Sequence, residues 1–152
     1  METLGDRPVF VDTNVLVYAN VLAYPLHSVA VECIQSFIDA EIELWLSRQV
    51  LREFIAAVTR PQTYGNPQPI GVVVTRVQTF QAQFRVAEDN PQVTTQLLNL
   101  LQRFPTAGRQ VHDANIVATM LTARIDRLLT HNVKDFDRFS DLITVIPLIA
   151  AT

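Results

Sequence analysis

Val9-Phe10-Val11-Asp12 constrains this chain more than any other stretch. Three consecutive apolar residues, β-branched and aromatic, suit a strand buried on both faces. A carboxylate closes the run, and after Thr13 and Asn14 a second apolar run, Val15-Leu16-Val17-Tyr18, begins. Asp12 is thereby set at the carboxyl end of a buried strand, where open α/β sheets bind ligands. A charge between two apolar runs is costly to desolvate unless an arginine, a backbone amide or a metal ion pairs with it.

The rest of the chain alternates in the same sense. A short helix or turn over 15–22 runs up to Pro25. Ser28 is placed to cap a helix carrying Ala30, Cys33, Ile34, Phe37 and Ile38. Residues 42–46 read as a second strand. Ser47 caps a helix with Val50, Leu51, Phe54, Ile55 and Val58 on one face, ended by Pro61. The stretch 61–71 is rich in proline and glycine and is the longest loop, readable as a lid, a contact surface or a plain insertion. A helix over 72–84 and a short strand over 85–87 follow. Asn90-Pro91 starts a helix that carries Val93, Leu97, Leu100, Leu101 and Phe104. Another helix begins near Val111 with Ala114, Val117, Ala118 and Leu121 on a stripe, and strands cover 127–130 and 143–146. Strands alternating with helices predict an α/β fold with a mostly parallel sheet of about five strands and helices on both faces. No repeat or linker divides the chain, so 1–152 is expected to be one domain.

Composition fits that reading. At 49% hydrophobic and 18% charged, the chain can bury a full core, which excludes disorder. One cysteine, Cys33, excludes a disulfide framework within the chain and is expected in the core. The first seven residues show no secretory n-region, and Asp12, Asn14 and Asn20 break the apolar stretch after them, so the expectation is a soluble cytoplasmic protein. The net charge of −3 counts against a general nucleic-acid coat protein but not against an enzyme whose acids are neutralised by metal. Of the twelve basic residues all but Lys134 are arginine, which suits phosphate recognition and equally suits a bias of genome composition.

Three further acids stand where an apolar element meets a loop or edges an apolar face. Glu53 lies on the helix after the second strand, Asp113 in the first turn of the helix near Val111, and Asp135 just beyond the strand ending at Thr130. In a parallel sheet the strand carboxyl ends and the helix amino ends share one rim, which brings Asp12, Asp135 and Asp113 together there. The helix dipole favours an ionised Asp113. Clustered carboxylates repel unless cations neutralise them, and hard oxygen ligands suit Mg²⁺ or Mn²⁺. Such ions, held by carboxylates, suit phosphodiester hydrolysis. Each residue also has a plain structural reading: Asp12 as a cap, Glu53 as a solvated helix residue, Asp113 as a favourable first-turn acid, Asp135 as a turn residue. The functional reading rests on the conjunction.

Four stretches of the chain together resemble a family. Phe10-Val11-Asp12-Thr13-Asn14-Val15-Leu16 resembles the opening motif of PIN-domain nucleases. Leu51-Arg52-Glu53-Phe54 with Val58-Thr59-Arg60-Pro61 is similar to their second acidic motif, His112-Asp113-Ala114-Asn115-Ile116-Val117-Ala118 to the third, and Leu129-Thr130-His131-Asn132-Val133-Lys134-Asp135-Phe136 to the fourth. The likeness runs from about Val9 to Pro147 and is strongest to VapC-type toxins of bacterial toxin–antitoxin pairs. It implies a PIN-like three-layer α/β/α fold, a Mg²⁺ or Mn²⁺ site and endonucleolytic cleavage of RNA. It also implies dimers, and an antitoxin that covers the site, with an arginine able to pair with the acids.

By the same resemblance Asp12, Glu53, Asp113 and Asp135 carry over as the acidic, metal-binding and catalytic set. Thr13, Asn14, Thr130 and Asn132 carry over as their hydrogen-bonding neighbours. The sequence departs at Asn132, where many relatives have a further Asp, which bears on a second metal. His112 and His131 flank two of the acids and read either as phosphate contacts or proton carriers, or as plain surface residues. Arg48, Arg52, Arg60, Arg109, Lys134 and Arg138 are candidate phosphate contacts or solvated charges. Two rival functions compete. An aspartyl-phosphate phosphatase would need an acid two residues after Asp12, where Asn14 stands. A catalytically silent PIN-like module binding a protein or RNA would have no need of all four acids.

Overall fold

Five short strands, β1 (Val9–Val11), β2 (Leu44–Ser47), β3 (Arg85–Ala87), β4 (Arg127–Thr130) and β5 (Thr144–Pro147), form one sheet in the order β3-β2-β1-β4-β5. Every neighbouring pair is parallel, with Phe10 level with Trp45 on one side and Leu128 on the other. This computed structural model describes residues 4–149. β1 is central and all three of its residues are fully buried, as its unbroken apolar run requires.

The connections are α1 (Thr13–Asn20), α2 (His27–Asp39), α3 (Arg48–Thr59), α4 (Ile70–Gln83), α5 (Pro91–Arg103), α6 (Gln110–Ala123) and a 3₁₀ turn, Val133–Phe139. From β1 the chain steps outward through β2 to β3, then crosses back to β4 and β5. Right-handed crossovers therefore put α1–α4 on one face and α5 and α6 on the other. The contacts agree: α1 packs on α2 and α3, α3 on α4, and α5 on α6. The chain adopts the predicted three layers, and the sheet, expected to be mostly parallel, is parallel throughout. Phe10, Leu46, Leu128 and Leu129 from the sheet are fully buried with Leu16 and Phe54 from one face and Ile116, Met120, Phe136 and Phe139 from the other. Each such side chain stabilises the fold by about 1.5–3 kcal/mol.

Local chemistry sets most boundaries. The Ser47 hydroxyl accepts from the Val50 amide at 3.2 Å, and the Asn90 side chain accepts from the Val93 amide at 3.2 Å with Pro91 at the first helical position. Other expectations need correction. Ser28 does not cap α2: the helix already begins at His27, with Leu26 as its cap residue and no side-chain cap bond, and the His27 ring bonds the Tyr18 carbonyl at 2.9 Å. Cys33 is half-buried against the core rather than inside it. α6 buries Ile116, Thr119 and Met120 as well as Ala114, Val117 and Ala118 of the predicted stripe, while Leu121 is only half-buried; α5 and the 3₁₀ turn both pack on the helix. The long loop ends at Pro69, and α1 begins at Thr13, directly after the first acid. Strands β2 and β5 each end one residue later than their apolar runs suggest.

Candidate active site

The strand order reverses between β1 and β4, so a crevice opens at their carboxyl ends. An open pocket of about 300 Å³ lies there, lined by Asp12, Thr13, Asn14, Glu53, Asp113 and Asn132 and flanked by Tyr18, Tyr24, Arg60 and Gln62. Asp12 caps α1 and is only 6% exposed. Its Oδ1 accepts from the Thr13 amide at 2.8 Å, and its Oδ2 accepts from the Thr130 hydroxyl at 2.8 Å and the Asn14 amide at 3.0 Å. A carboxylate has about four acceptor positions, so one on Oδ1 is left for the pocket. Thr130, fully buried at the end of β4, also accepts from the Asn132 amide at 3.0 Å, and Asn14 accepts from the His131 amide at 3.0 Å. The ends of β1 and β4 are thus laced together through Asp12, Asn14 and Thr130. Asn14 is committed as a donor to Asp12, so it cannot supply the acid that the phosphatase reading requires.

Glu53 is reached from α3. Its Oε2 accepts from the Thr13 hydroxyl at 2.7 Å and its Oε1 from the Gln49 amide at 2.8 Å. Gln49, 7% exposed, also donates to the His112 carbonyl at 2.9 Å and accepts from the Asn115 amide at 2.7 Å. This amide bridge joins α3 to the first turns of α6, where Asp113 lies. Gln49 and Asn115 were not legible as site residues. The available signal was Gln49 four residues before Glu53, on the same helix face. Asp113 is half-buried and makes no hydrogen bond or ion pair with a described residue.

The electrostatics show how close the acids are. Burial, with the charge of Glu53 adding, pushes Asp12 from 3.8 up to about 6, against the lowering effect of its hydrogen bonds. Burial also pushes Asp113 up to about 6, and the charges of Asp135, Asp12 and Glu53 add to it, while Arg138 pulls it down. Asp135 is exposed on the 3₁₀ turn, beside Asp113 but outside the pocket lining. Among the described residues none of the four acids is ion-paired; the salt bridges lie elsewhere.

The predicted phosphate contacts separate. Arg48 pairs with Glu88 at 2.7 Å and Arg52 with Asp89 at 3.7 Å, both away from the pocket. Arg60 lines the pocket, whereas Lys134 is exposed outside it. Arg138 lies over the Phe139 ring, 4.9 Å from its centroid, and Arg109 precedes α6. The His112 ring is exposed, and the His131 ring meets Tyr18 edge-on at 5.6 Å.

The oxygen-only donors suit a hard cation. No three described His, Cys, Asp or Glu side chains stand close enough to hold a metal ion by themselves. Asp12 keeps one acceptor position, Glu53 one on each oxygen and Asp113 all of its own, so one or two of these acids can offer oxygen directly to an ion. One or two carboxylates with several waters is the usual coordination of Mg²⁺. The residues present fit such an ion.

A parallel sheet with acids gathered at its switch point defines a recognisable class of α/β carboxylate site. The chain belongs to the PIN-domain family, whose profile matches residues 9–142. No curated protein matches it in sequence. Similar solved folds include the sarcin–ricin loop cleaving toxin VapC20 of Mycobacterium tuberculosis, 17% identical, covering 79% of this chain and 86% of that one with a TM-score of 0.60. A toxin–antitoxin complex from Klebsiella pneumoniae is 17% identical, covering 94% and 99% with a TM-score of 0.66. A DNA-bound VapBC from Salmonella typhimurium is 16% identical, covering 94% and 99% with a TM-score of 0.64. At these identities the likeness is one of fold. No described helix is long and apolar enough to cross a membrane.

Proposed function

We propose that this chain is a Mg²⁺- or Mn²⁺-dependent endoribonuclease and the toxin of a toxin–antitoxin pair. One observation carries the reading: Asp12 and Asp113 line one switch-point pocket, both are pushed up to about 6, and no described cation pairs with either. Uncompensated carboxylates of this kind call for a cation. The similar folds support the reading, because one is a toxin that cleaves the sarcin–ricin loop and others are toxin–antitoxin assemblies.

In this reading Asp12 and Asp113 hold one cation, and Asn132, which brings no charge, leaves a second without an acid of its own. The bound ion would polarise the phosphodiester and lower the pKa of a water. The chain's own residues do the positioning. Thr13, Asn14 and Thr130 fix Asp12, Gln49 and Thr13 hold Glu53 in the pocket wall, and Asp135 completes the site or orients the attacking water. Hydrolysis joins the water oxygen to phosphorus and breaks the bond to the 3′ oxygen, which takes a proton. The products carry 5′-phosphate and 3′-hydroxyl ends. The chain acts as a homodimer in the cytoplasm, and an antitoxin segment covers the pocket with an arginine paired to the exposed edge of Asp113.

Calorimetric titration of Mn²⁺ into the full chain, beside Asp12→Asn, tests this without knowledge of the RNA. Binding in the parent that weakens at least about 100-fold in the variant is expected, beyond the roughly 10–100-fold of an outer-shell change. No binding in either folded protein overturns the mechanism and favours a silent binding module. Fragments ending in 2′,3′-cyclic phosphate would mean that the ribose hydroxyl, not water, attacked.

A further inference from the structure

The chain has three tyrosines, and all three are joined by successive ring contacts beside the acidic pocket. Tyr18 and Tyr24 line the pocket itself, with ring centroids 5.1 Å apart. Tyr64 continues the line, 5.3 Å from Tyr24, and His131 begins it, 5.6 Å from Tyr18. The burial is graded: Tyr18 and Tyr24 are half-buried, while Tyr64 is 44% exposed. Core packing accounts for the inner edges of the first two rings but not for a third ring standing open at the end.

The outer end is built rather than loose. Gly65 has φ +80°, and an added Cβ would meet the Ala23 Cβ at 3.3 Å, so the backbone beside Tyr64 is pressed onto the turn that carries Tyr24. The Tyr24 hydroxyl donates to Gln62 at 2.9 Å, the Gln68 amide donates to the Val58 carbonyl at 2.8 Å, and the Gln68 side chain donates to the Asn20 carbonyl at 3.2 Å. The loop is therefore pinned to α1 and α3 from both ends. Arg60, at the start of this loop, faces the same pocket and is not ion-paired with any described residue.

We propose that His131, Tyr18, Tyr24 and Tyr64 form a stacking track for unpaired bases of a single-stranded RNA, with Arg60 on its phosphates, leading the strand to the acids. The assignment rests on the nuclease reading and sharpens it: the preferred substrate is unpaired next to the scissile bond. Aromatic faces accept any base, but only one whose own face is free, so a duplex is excluded. A cation beside a line of rings is what a strand with a charged backbone and apolar bases requires. A peptide partner lying on the same rings has no such need of Arg60.

The test is fluorescence anisotropy with the full chain in Ca²⁺ and a labelled, unstructured RNA of about a dozen nucleotides, a length within one such site. Strand integrity is checked on a gel. Two comparison probes are the same strand with consecutive abasic sites and the same strand annealed to its complement. Tyr64→Ala is expected to weaken the intact strand roughly 5- to 100-fold, the effect of one or more lost stacking contacts. It should leave the abasic strand, already weak, unchanged. Tyr24→Leu should behave like Tyr64→Ala, and Tyr24→Phe, which keeps the ring, like the parent. If both ring-removing variants bind the intact strand as the parent does, or if the abasic or paired probe binds as well as the intact one, the track is overturned. Failure of the parent to bind any strand overturns it too. The Mn²⁺ titration on the same preparations separates the two claims. Mn²⁺ binding with tyrosine variants that have no effect removes the track alone, and absent Mn²⁺ binding removes the nuclease reading whatever the anisotropy shows.

Discussion

Asp12, at the end of β1, and Asp113, on α6, face the same pocket, and the chain treats them differently. Asp12 is nearly inaccessible, and three donors from α1 and β4 fix both of its oxygens. Asp113 is half-buried on the first turn of α6, and no described donor touches it. One acid is part of the fold's own hydrogen bonding; the other is held in place by its backbone and feels its neighbours only through charge. A site built this way has a rigid wall and a responsive one. Changes to the rigid wall should damage folding and binding together, and changes to the responsive wall should damage binding alone.

The largest effect should come from Asp113→Asn. Mn²⁺ affinity is expected to fall at least about 100-fold, beyond an outer-shell loss, while the thermal midpoint of the metal-free protein stays level or rises slightly. A clear drop in that midpoint would show that Asp113 is structural after all. Thr130→Val tests the other wall. It removes a donor to Asp12 and the acceptor of the Asn132 amide inside a fully buried site. A loss of about 1–3 kcal/mol in denaturant unfolding is expected, with weaker Mn²⁺ binding as well. Unchanged stability would mean that the lacing between β1 and β4 is incidental.

The pH dependence is smaller and has a fixed sign. Both acids titrate near 6 in the folded chain against 3.8 ordinarily, so the folded state holds protons that the unfolded state has released. Their contribution is fully present below about pH 4 and is lost as pH rises through about 6. In EDTA the metal-free protein should lose stability over that window, and Mn²⁺ should restore it increasingly above pH 6. A profile over pH 4–7 that is as steep in an Asp12→Asn, Asp113→Asn double variant as in the parent would assign the slope to other groups. The smallest effect concerns the arginines. Arg48→Ala and Arg52→Ala break exposed pairs with Glu88 and Asp89, outside the pocket. They should change RNA cleavage less than about twofold, consistent with the small energies of exposed pairs, whereas Arg60→Ala should raise KM.

Much of this was legible because strands and strand ends leave local marks. The apolar run before Asp12, the Ser47 cap and the Asn90-Pro91 start each depend on neighbours within a few positions, and each element lies where those marks put it. Asp12, Glu53 and Asp113, which line one pocket, carried the same kind of mark, since each closes or edges an apolar stretch; Asp135 carried it too but lies outside the lining. What stayed hidden depends on distant partners. Gln49 and Asn115 bond across sixty-six positions, and an amide carries no periodicity that announces such a bond. Arg48 and Arg52 followed the rim in sequence, yet nearby acids turned them outward. The tyrosines are spread over α1, the turn after it and the long loop, and the tight approach at Gly65 sets Tyr64 beside Tyr24.

The bond from Thr130 to Asp12 spans 118 positions, and the strand pair it locks joins the first strand to the fourth. During synthesis, at about 5–20 residues per second, Thr130 is added roughly 6–24 s after Asp12. Until then Asp12 lacks one of its three donors and β1 lacks one of its two flanking strands. The pocket is therefore incomplete until β4 has been made, although β1 and its acid come first. A chain that stops before Asp113 keeps its opening acidic motif but lacks the far wall of the pocket.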